Sequence, residues 1–145
     1  MYKNILIPTD GTVLSESALE KGLAFAREIG AKVTVMTTVE PAPMLVTASV
    51  QLAETQSRYH RNAVELAAKR LDKAMADAKG AGVACETVQV EHDHPYQAII
   101  ETAGKKGCDL IAMASHGRRG ISALVLGSET TKVLTHSSIP VLVFR

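Results

Sequence analysis

Short runs of apolar and β-branched residues alternate with longer segments of helical periodicity along this chain. Five such runs are visible, and the second, Lys32–Val39, reads KVTVMTTV. The segments between them carry apolar residues every three or four positions, as at Leu19, Leu23 and Ala26, which is the spacing of one helix face. Strands alternating with helices of ten or more residues form right-handed βαβ units, so we expect an α/β domain with a parallel sheet covered on both faces.

The element boundaries follow from turn and cap residues. The five predicted strands span residues 4–7, 32–39, 83–90, 110–113 and 139–144. Helix 1 is expected to be capped by Ser15 and to stop at Gly30, and helix 4 to be capped by Ser128 with Val133 and Leu134 buried. Helix 2 is predicted at about residues 52–78 and helix 3 from the Pro95 region to near Gly107. Residues 1–145 contain no repeat or linker, which predicts a single domain.

Composition excludes several classes of protein. The 145 residues carry a net charge of +1, and only 3% are aromatic, so neither a polyanion-attracting field nor stacking platforms for nucleic acid are present. No apolar stretch approaches the roughly 20 residues of a membrane span, and no signal segment is visible. Cys85 and Cys108 lack metal-ligand spacing and are too few for a disulfide framework. These features predict two reduced, buried thiols in a cytoplasmic protein.

The segment 113–130, MASHGRRGISALVLGSET, follows a predicted strand and ends at a predicted helix start. Small residues before a helix N-terminus favour anion binding, because free N–H groups and the positive end of the helix dipole converge there. The segment matches neither the Walker phosphate loop, which needs a lysine before Ser128, nor the dinucleotide fingerprint, which would follow strand 1. From the glycines alone, a turn that binds nothing stays an open alternative.

Asp10 gives a second indication of a site. In open parallel sheets, ligands bind beyond the carboxyl ends of the strands where the strand order reverses. Asp10 follows strand 1, and the segment from Ala114 follows strand 4. If these two strands are neighbours at the reversal, Asp10 and the glycine-containing segment face one crevice. A purely structural role, in which Asp10 caps its own turn, is the alternative.

Three blocks of sequence carry a resemblance to a known family. They are the opening ILIPTDGT with Ser15 and Glu16, the block ASHGRRGISALVLGS, and the tail SIPVLV from Ser138. The second block approximates a pattern of glycine, two residues, glycine, nine residues, then glycine and Ser or Thr. Over its whole length the chain resembles the universal stress protein family. The resemblance implies an open five-stranded, Rossmann-like sheet of the adenine nucleotide alpha hydrolase-like type, with strand order 3-2-1-4-5 and helices on both faces.

For the ATP-binding branch of that family, the resemblance also implies roles for individual positions. Asp10 lies beside the nucleoside, and the backbone of Thr38 meets the adenine. Ala114 and Gly117 approach the ribose and phosphates, while Gly127, Ser128 and Glu129 hold the phosphate tail through N–H groups and a hydroxyl. The candidate ATP-binding set is completed by neighbouring residues, namely Pro8, Thr9, Met113, His116, Arg118 and Thr130. Mg²⁺ is expected to bind through the phosphates, without ligands from the protein.

The first position of the glycine pattern departs from the family, because Ala114 stands there. If that position requires a positive φ, the alanine is strained; if it requires close approach, the methyl group crowds the ligand. Crowding would cost on the order of 1–3 kcal/mol, or roughly tenfold to a hundredfold in affinity.

His92 and His94 flank Asp93, and we expect them to be solvent-exposed loop residues rather than metal ligands.

Two functional hypotheses follow. The first is a stress-response regulator that binds ATP, acts as a homodimer with regulatory protein partners, and is no enzyme beyond slow ATP hydrolysis. The second is a nucleotide-independent dimeric interaction module. Strand 5 is expected to be an apolar sheet edge, which invites pairing, and the resemblance implies that in both cases this strand pairs with its copy in a C2 dimer through Ile139, Val141 and Val143. An ATP-pyrophosphatase would need an SGGxDS-like loop after strand 1, which PTDGTVLS does not supply.

Overall fold

The computed structural model describes residues 1–44, 49–116 and 125–145. Its centre is one parallel five-stranded sheet in the order β3-β2-β1-β4-β5, which confirms the predicted fold class. Within the described ranges no helix is both long and apolar enough to cross a bilayer. The strands are β1 Asn4–Pro8, β2 Lys32–Val39, β3 Cys85–Glu91, β4 Leu110–Ala114 and β5 Val141–Phe144.

Four helices within the described ranges cover the two faces of the sheet. They are α1 Val13–Ile29, α2 Val50–Ala81, α3 Pro95–Lys105 and α4 Ser128–His136. Alternation along β1 explains how two separate cores form. Ile5 and Ile7 join a buried cluster with α1 and α2, while Leu6 points the other way into a cluster with α3 and α4. Because both faces of the central strands are buried, those strands carry near-continuous apolar runs.

The N-caps of α1 and α4 are not the serines that were predicted from the sequence. Thr12, not Ser15, caps α1, and its hydroxyl oxygen accepts the Ser15 N–H at 3.2 Å. Ser15 lies inside the first turn, buried, and its own hydroxyl donates to the Thr12 carbonyl oxygen at 3.0 Å. Gly127, not Ser128, is the N-cap of α4. In both cases the cap lies upstream of the serine that fits the sequence signal, three positions upstream in α1 and one position upstream in α4.

The start of β5 and the exposure of Leu134 also differ from the predictions made from the sequence. β5 begins at Val141 rather than Ile139, because Pro140 has no N–H to give to a ladder. Ile139 precedes the strand and contacts the α3/α4 cluster. Leu134 was expected to be buried but is 42% exposed, whereas Val133 is fully buried.

Cys108 is buried and Cys85 half-buried, both are free, and burial raises the pKa of each thiol.

Candidate functional site

The strand order reverses between β1 and β4, which are direct neighbours through Ile5–Leu110 and Leu6–Ile111. From β1 the chain proceeds outward to β2 and β3, and from β4 it proceeds to β5 on the other side. β1 ends at Pro8 opposite Met36, while β2 continues to Val39. The longer β2 therefore overhangs the end of β1. Thr38 lies in this overhang, half-buried and paired with Val90.

The turn after β1 is held by the side chain of Asp10. Its Oδ1 accepts hydrogen bonds from the Thr12 N–H at 3.0 Å and the Thr12 hydroxyl at 2.6 Å. The Thr9 N–H donates to the Met36 carbonyl oxygen at 2.8 Å, and the Thr9 and Ser15 hydroxyl oxygens lie 3.2 Å apart. Asp10 thus organises the turn, as the structural alternative predicted, and it does so at the edge of the crevice.

Gly11 brings a residue into the site that the sequence did not reveal. Its φ is +78°, and a Cβ at this position would collide with the side chain of Arg70 from α2. A cavity of about 30 Å³ next to them is lined by Thr9, Gly11, Glu16, Leu19, Arg70, Lys73 and Ala74. Arg70 lies next to the buried stripe of α2. Its place in the helical repeat was the only feature of the sequence that could have indicated its position.

Ala114 is the last residue of β4, where its backbone is unstrained. No residue other than glycine has a positive φ in the three described ranges, so the strained-backbone alternative is wrong. Ala112 belongs to the α1/α2 cluster and Met113 to the α3/α4 cluster. Alternation therefore directs the Ala114 methyl group toward the α1/α2 face. Ala114 is 7% exposed, so most of that methyl group lies inside the protein.

Two hydrogen bonds join the end of β4 to the start of α4. The Gly127 N–H donates to the Ser115 carbonyl oxygen at 2.8 Å, and the Thr130 hydroxyl donates to the Ala114 carbonyl oxygen at 3.0 Å. Ser115 is itself joined to β5, because its N–H donates to the Phe144 carbonyl oxygen at 2.8 Å. The first turn of α4 is therefore fixed to the sheet at the switch point.

The N-terminus of α4 has the features of an anion site. The first N–H groups of any α-helix have no partner within the helix, and Gly127 at the N-cap of α4 has no side chain to bond them. Gly127 adds no side chain at the entrance, and Ser128 is exposed at the first helical position. The free N–H groups of the first turn and the helix dipole together favour a negatively charged ligand.

His116 adds an unusual buried polar atom. The residue is only 7% exposed, and its Nδ1 lies 2.9 Å from the Ser115 hydroxyl oxygen. Its Nε2 is buried and has no hydrogen-bond partner among the residues that can be described. Buried polar atoms without partners are rare in folded proteins and call for an explanation such as a ligand or water.

The carboxylate of Glu129 does not point into the anion site. Its Oε2 accepts the N–H of Tyr96 on α3 at 2.9 Å, and its Oε1 lies 3.3 Å from Lys132 Nζ. The phosphate-binding role predicted for Glu129 therefore depends on its backbone N–H, which belongs to the first turn of α4. The contact with Tyr96 had no sequence signal, because the two residues are 33 positions apart.

The remaining predicted residues have mixed outcomes. Met113 and Thr130 are buried, so the second can contribute only its N–H to a ligand. Gly117 and Arg118 lie outside the described residues. His94 is exposed, whereas His92 is half-buried and its Nδ1 accepts the His94 N–H at 2.9 Å. Across the described segments no three His, Cys, Asp or Glu side chains are grouped so as to hold a metal ion.

A parallel sheet in the order 3-2-1-4-5, with a helix N-terminus fixed at its switch point, defines a Rossmann-like α/β protein. The family model described as "Universal stress protein family" matches residues 1–145. The chain belongs to the universal stress protein family.

Sequence relatives span the whole chain. It is 31% identical to universal stress protein MJ0531 of Methanocaldococcus jannaschii, covering 100% of this chain and 83% of the relative. It is 30% identical to a universal stress protein of Thermus aquaticus, covering 100% of both.

Solved structures agree with the fold. The structure of MJ0577, also from M. jannaschii, is 27% identical, with a TM-score of 0.82 over 99% of this chain and 95% of that one. A universal stress protein in complex with cAMP gives 23% identity and a TM-score of 0.70 over 99% and 96% of the two chains. One from Archaeoglobus fulgidus in complex with dAMP gives 17% identity and a TM-score of 0.64 over 99% and 98%.

Proposed function

We propose that this protein is a stress-response regulator that binds ATP in the crevice between the ends of β1 and β4. The observation that carries this proposal is the N-terminus of α4, which has a glycine at its N-cap and which two hydrogen bonds fix to the end of β4 at the switch point. Universal stress proteins bound to cAMP and to dAMP support an adenine nucleotide as the ligand, since both share adenine, a pentose and a phosphate with ATP. The triphosphate is our inference.

Each part of the nucleotide has a counterpart in the crevice. The overhang of β2 at Thr38 would offer backbone groups to the adenine, and the Asp10 turn would lie beside the nucleoside. The first-turn N–H groups of α4 and the Ser128 hydroxyl suit the phosphates. The partnerless Nε2 of His116 is a further donor or acceptor at the same end of β4. Mg²⁺ would be held by the phosphates and would offset their charge.

We expect at most slow ATP hydrolysis. The carboxylate of Asp10 already accepts two hydrogen bonds from Thr12 through one oxygen, which favours a structural role over that of a general base. The nucleotide would then act by occupancy, changing the shape or partners of the protein.

Cys85 and Cys108 are both free, which fits a reducing compartment such as the cytoplasm.

Ser128→Asp tests the proposal with little risk to the fold. Ser128 is exposed at the first position of α4, where an acidic side chain stabilises a helix by about 0.3–1 kcal/mol. The same negative charge repels a phosphate at the first-turn N–H groups, so we expect ATP binding to be lost while the melting temperature stays equal or rises. Ser57→Asp, on the exposed side of α2, is the matched control and should bind ATP like the wild type. Equal affinities of the two variants would contradict the proposed site.

A second function is favoured by the edge of the sheet. β5 is an edge strand, and all four of its residues are half-buried in one chain. A homodimer formed through Val141 and Val143 would cover this edge, and a nucleotide-independent interaction module would need nothing more. Light scattering at micromolar concentration should give a dimer for the wild type and a monomer for Val143→Lys. A dimer that forms without any ATP binding by calorimetry would favour this second function.

A further inference from the structure

Glu129 is a first-turn residue of α4 whose carboxylate serves another helix. Oε2 accepts the Tyr96 N–H at 2.9 Å, and Oε1 lies 3.3 Å from Lys132 Nζ. Its backbone N–H, by contrast, belongs to the first turn where the phosphates of the proposed ligand would bind. A single residue therefore contributes to the proposed phosphate site and to the start of α3.

The start of α3 depends on this carboxylate. His94 occupies the N-cap position but makes no side-chain capping bond, and Pro95 at the first helical position has no N–H. Tyr96 has the first helical N–H that needs a partner, and Glu129 provides it from α4. Bonds from a backbone N–H to a charged carboxylate are stronger than those between neutral groups.

A phosphate at α4 would act on the same carboxylate through its charge. The carboxylate and the first-turn N–H groups belong to the same turn of helix, so an anion held by those groups lies close to a second negative charge. Lys132 offsets part of that charge, but its Nζ bonds to Oε1 rather than to Oε2, lies 5.5 Å from the centre of the Tyr96 ring, and is half-exposed. Like charges at this range repel, and the repulsion is strongest where water is partly excluded.

We propose that Glu129 makes nucleotide binding and the capping of α3 mutually antagonistic. Phosphate in the site weakens the Glu129–Tyr96 bond, and this bond in turn limits nucleotide affinity, because such coupling is reciprocal. Nucleotide occupancy is thereby transmitted to the first turn of α3. Around it lie His94 and His136, whose rings are 6.4 Å and 5.3 Å from that of Tyr96. The inference rests on the proposed nucleotide site.

Glu129→Gln separates the charge from the hydrogen bond, because glutamine keeps an oxygen that accepts the Tyr96 N–H. Calorimetric titration with Mg·ATP should give a Kd about three- to tenfold lower for this variant than for the wild type. The gain should shrink in about 0.5 M salt, since screening weakens interactions between charges. Glu101→Gln, an exposed position of α3 with the same change in charge, should stay within about twofold of the wild type.

Hydrogen exchange at the Tyr96 amide tests the transmission to α3. Added ATP should speed exchange of this amide in the wild type and change it less in Glu129→Gln. Glu129→Ala, which removes charge and acceptor together, should exchange fast with or without nucleotide. ATP binding with equal Kd values for wild type and Glu129→Gln, or an unchanged Tyr96 amide, would overturn this inference and leave the proposed function standing. Absence of binding by both proteins would overturn the two together.

Discussion

The Thr130 hydroxyl donates a hydrogen bond to the Ala114 carbonyl oxygen at 3.0 Å, which ties the first turn of α4 to the last residue of β4. Both residues are buried, so neither partner can exchange this bond for one with bulk water. The N–H groups of α4 are therefore held at the switch point by the interior of the protein. In the proposed function, this bond preorganises the phosphate site.

Thr130→Val should lower the free energy of unfolding by about 1–3 kcal/mol, because the Ala114 carbonyl oxygen loses its buried partner without a change in side-chain shape. Chemical denaturation measures this. Thr131→Val is the matched control, since the exposed Thr131 hydroxyl donates to the carbonyl oxygen of Gly127, the N-cap of its own helix, and it should change stability by less than about 0.5 kcal/mol. Equal losses in the two variants would contradict the role assigned to the Thr130 bond.

Ala114→Gly should leave ATP affinity within about threefold of the wild type. The alanine has no positive φ and is only 7% exposed, so removal of its methyl group opens little space for a ligand. Stability should fall by about 0.5–1 kcal/mol, as for glycine within a strand. Calorimetry and denaturation check both values, and a tenfold gain in affinity would show that the methyl group crowds the nucleotide after all.

Gly11→Ala should destabilise the protein more than Gly30→Ala. Both glycines have a positive φ, +78° and +69°, but only Gly11 faces a neighbour, the side chain of Arg70. We expect about 1 kcal/mol at Gly30 from backbone strain and about 2–3 kcal/mol at Gly11, where Arg70 must also move. Denaturation of the two variants in parallel measures the difference. Equal losses of unfolding free energy in the two variants would mean that the contact with Arg70 adds nothing to the cost of Gly11→Ala.

Acid should remove the stabilisation provided by Asp109. Burial acts to raise the pKa of this carboxyl, but the N–H groups of Asn4 and Lys3 outweigh it, so the pKa lies below its ordinary value. A lowered pKa stabilises the fold fully above the unfolded value of about 3.9 and loses this effect as the pH falls through the folded value. Asp109→Asn should therefore melt lower than the wild type at pH 7, with the difference vanishing in acid.

Asp93→Asn, at an exposed position, is the control for the melting experiment on Asp109→Asn. It should melt like the wild type at every pH, because Asp93 lies on the surface of the loop before α3. A constant difference between Asp109→Asn and the wild type from pH 7 down to pH 2 would contradict the assignment of the acid sensitivity to Asp109.

Most of the fold could be predicted from local patterns. The apolar runs at β1, β2 and β4 are long enough to mark strands buried on both faces, and Gly30 marks a helix end through its need for a positive φ. The strand order came from the resemblance to the family. The errors lie where neighbouring residues compete, as between Thr12 and Ser15, or where a proline delays a strand, as before Val141.

The site was harder to predict, because its defining contacts join distant parts of the chain. Asp10, Gly127 and Ser128 could be found from the sequence, since they follow strands or begin a helix. The roles of Arg70 beside Gly11 and of Glu129 at Tyr96 depend on how α2 and α3 lie against the sheet. Local periodicity contains no information about such pairs.

Calorimetric titration of the wild-type protein with Mg·ATP tests the proposed nucleotide site. We expect saturable binding to one site per chain, which Ser128→Asp abolishes and Ser57→Asp preserves. A titration to about 1 mM ATP that gives no saturable heat, corresponding to less than about 4 kcal/mol of binding free energy, would contradict it.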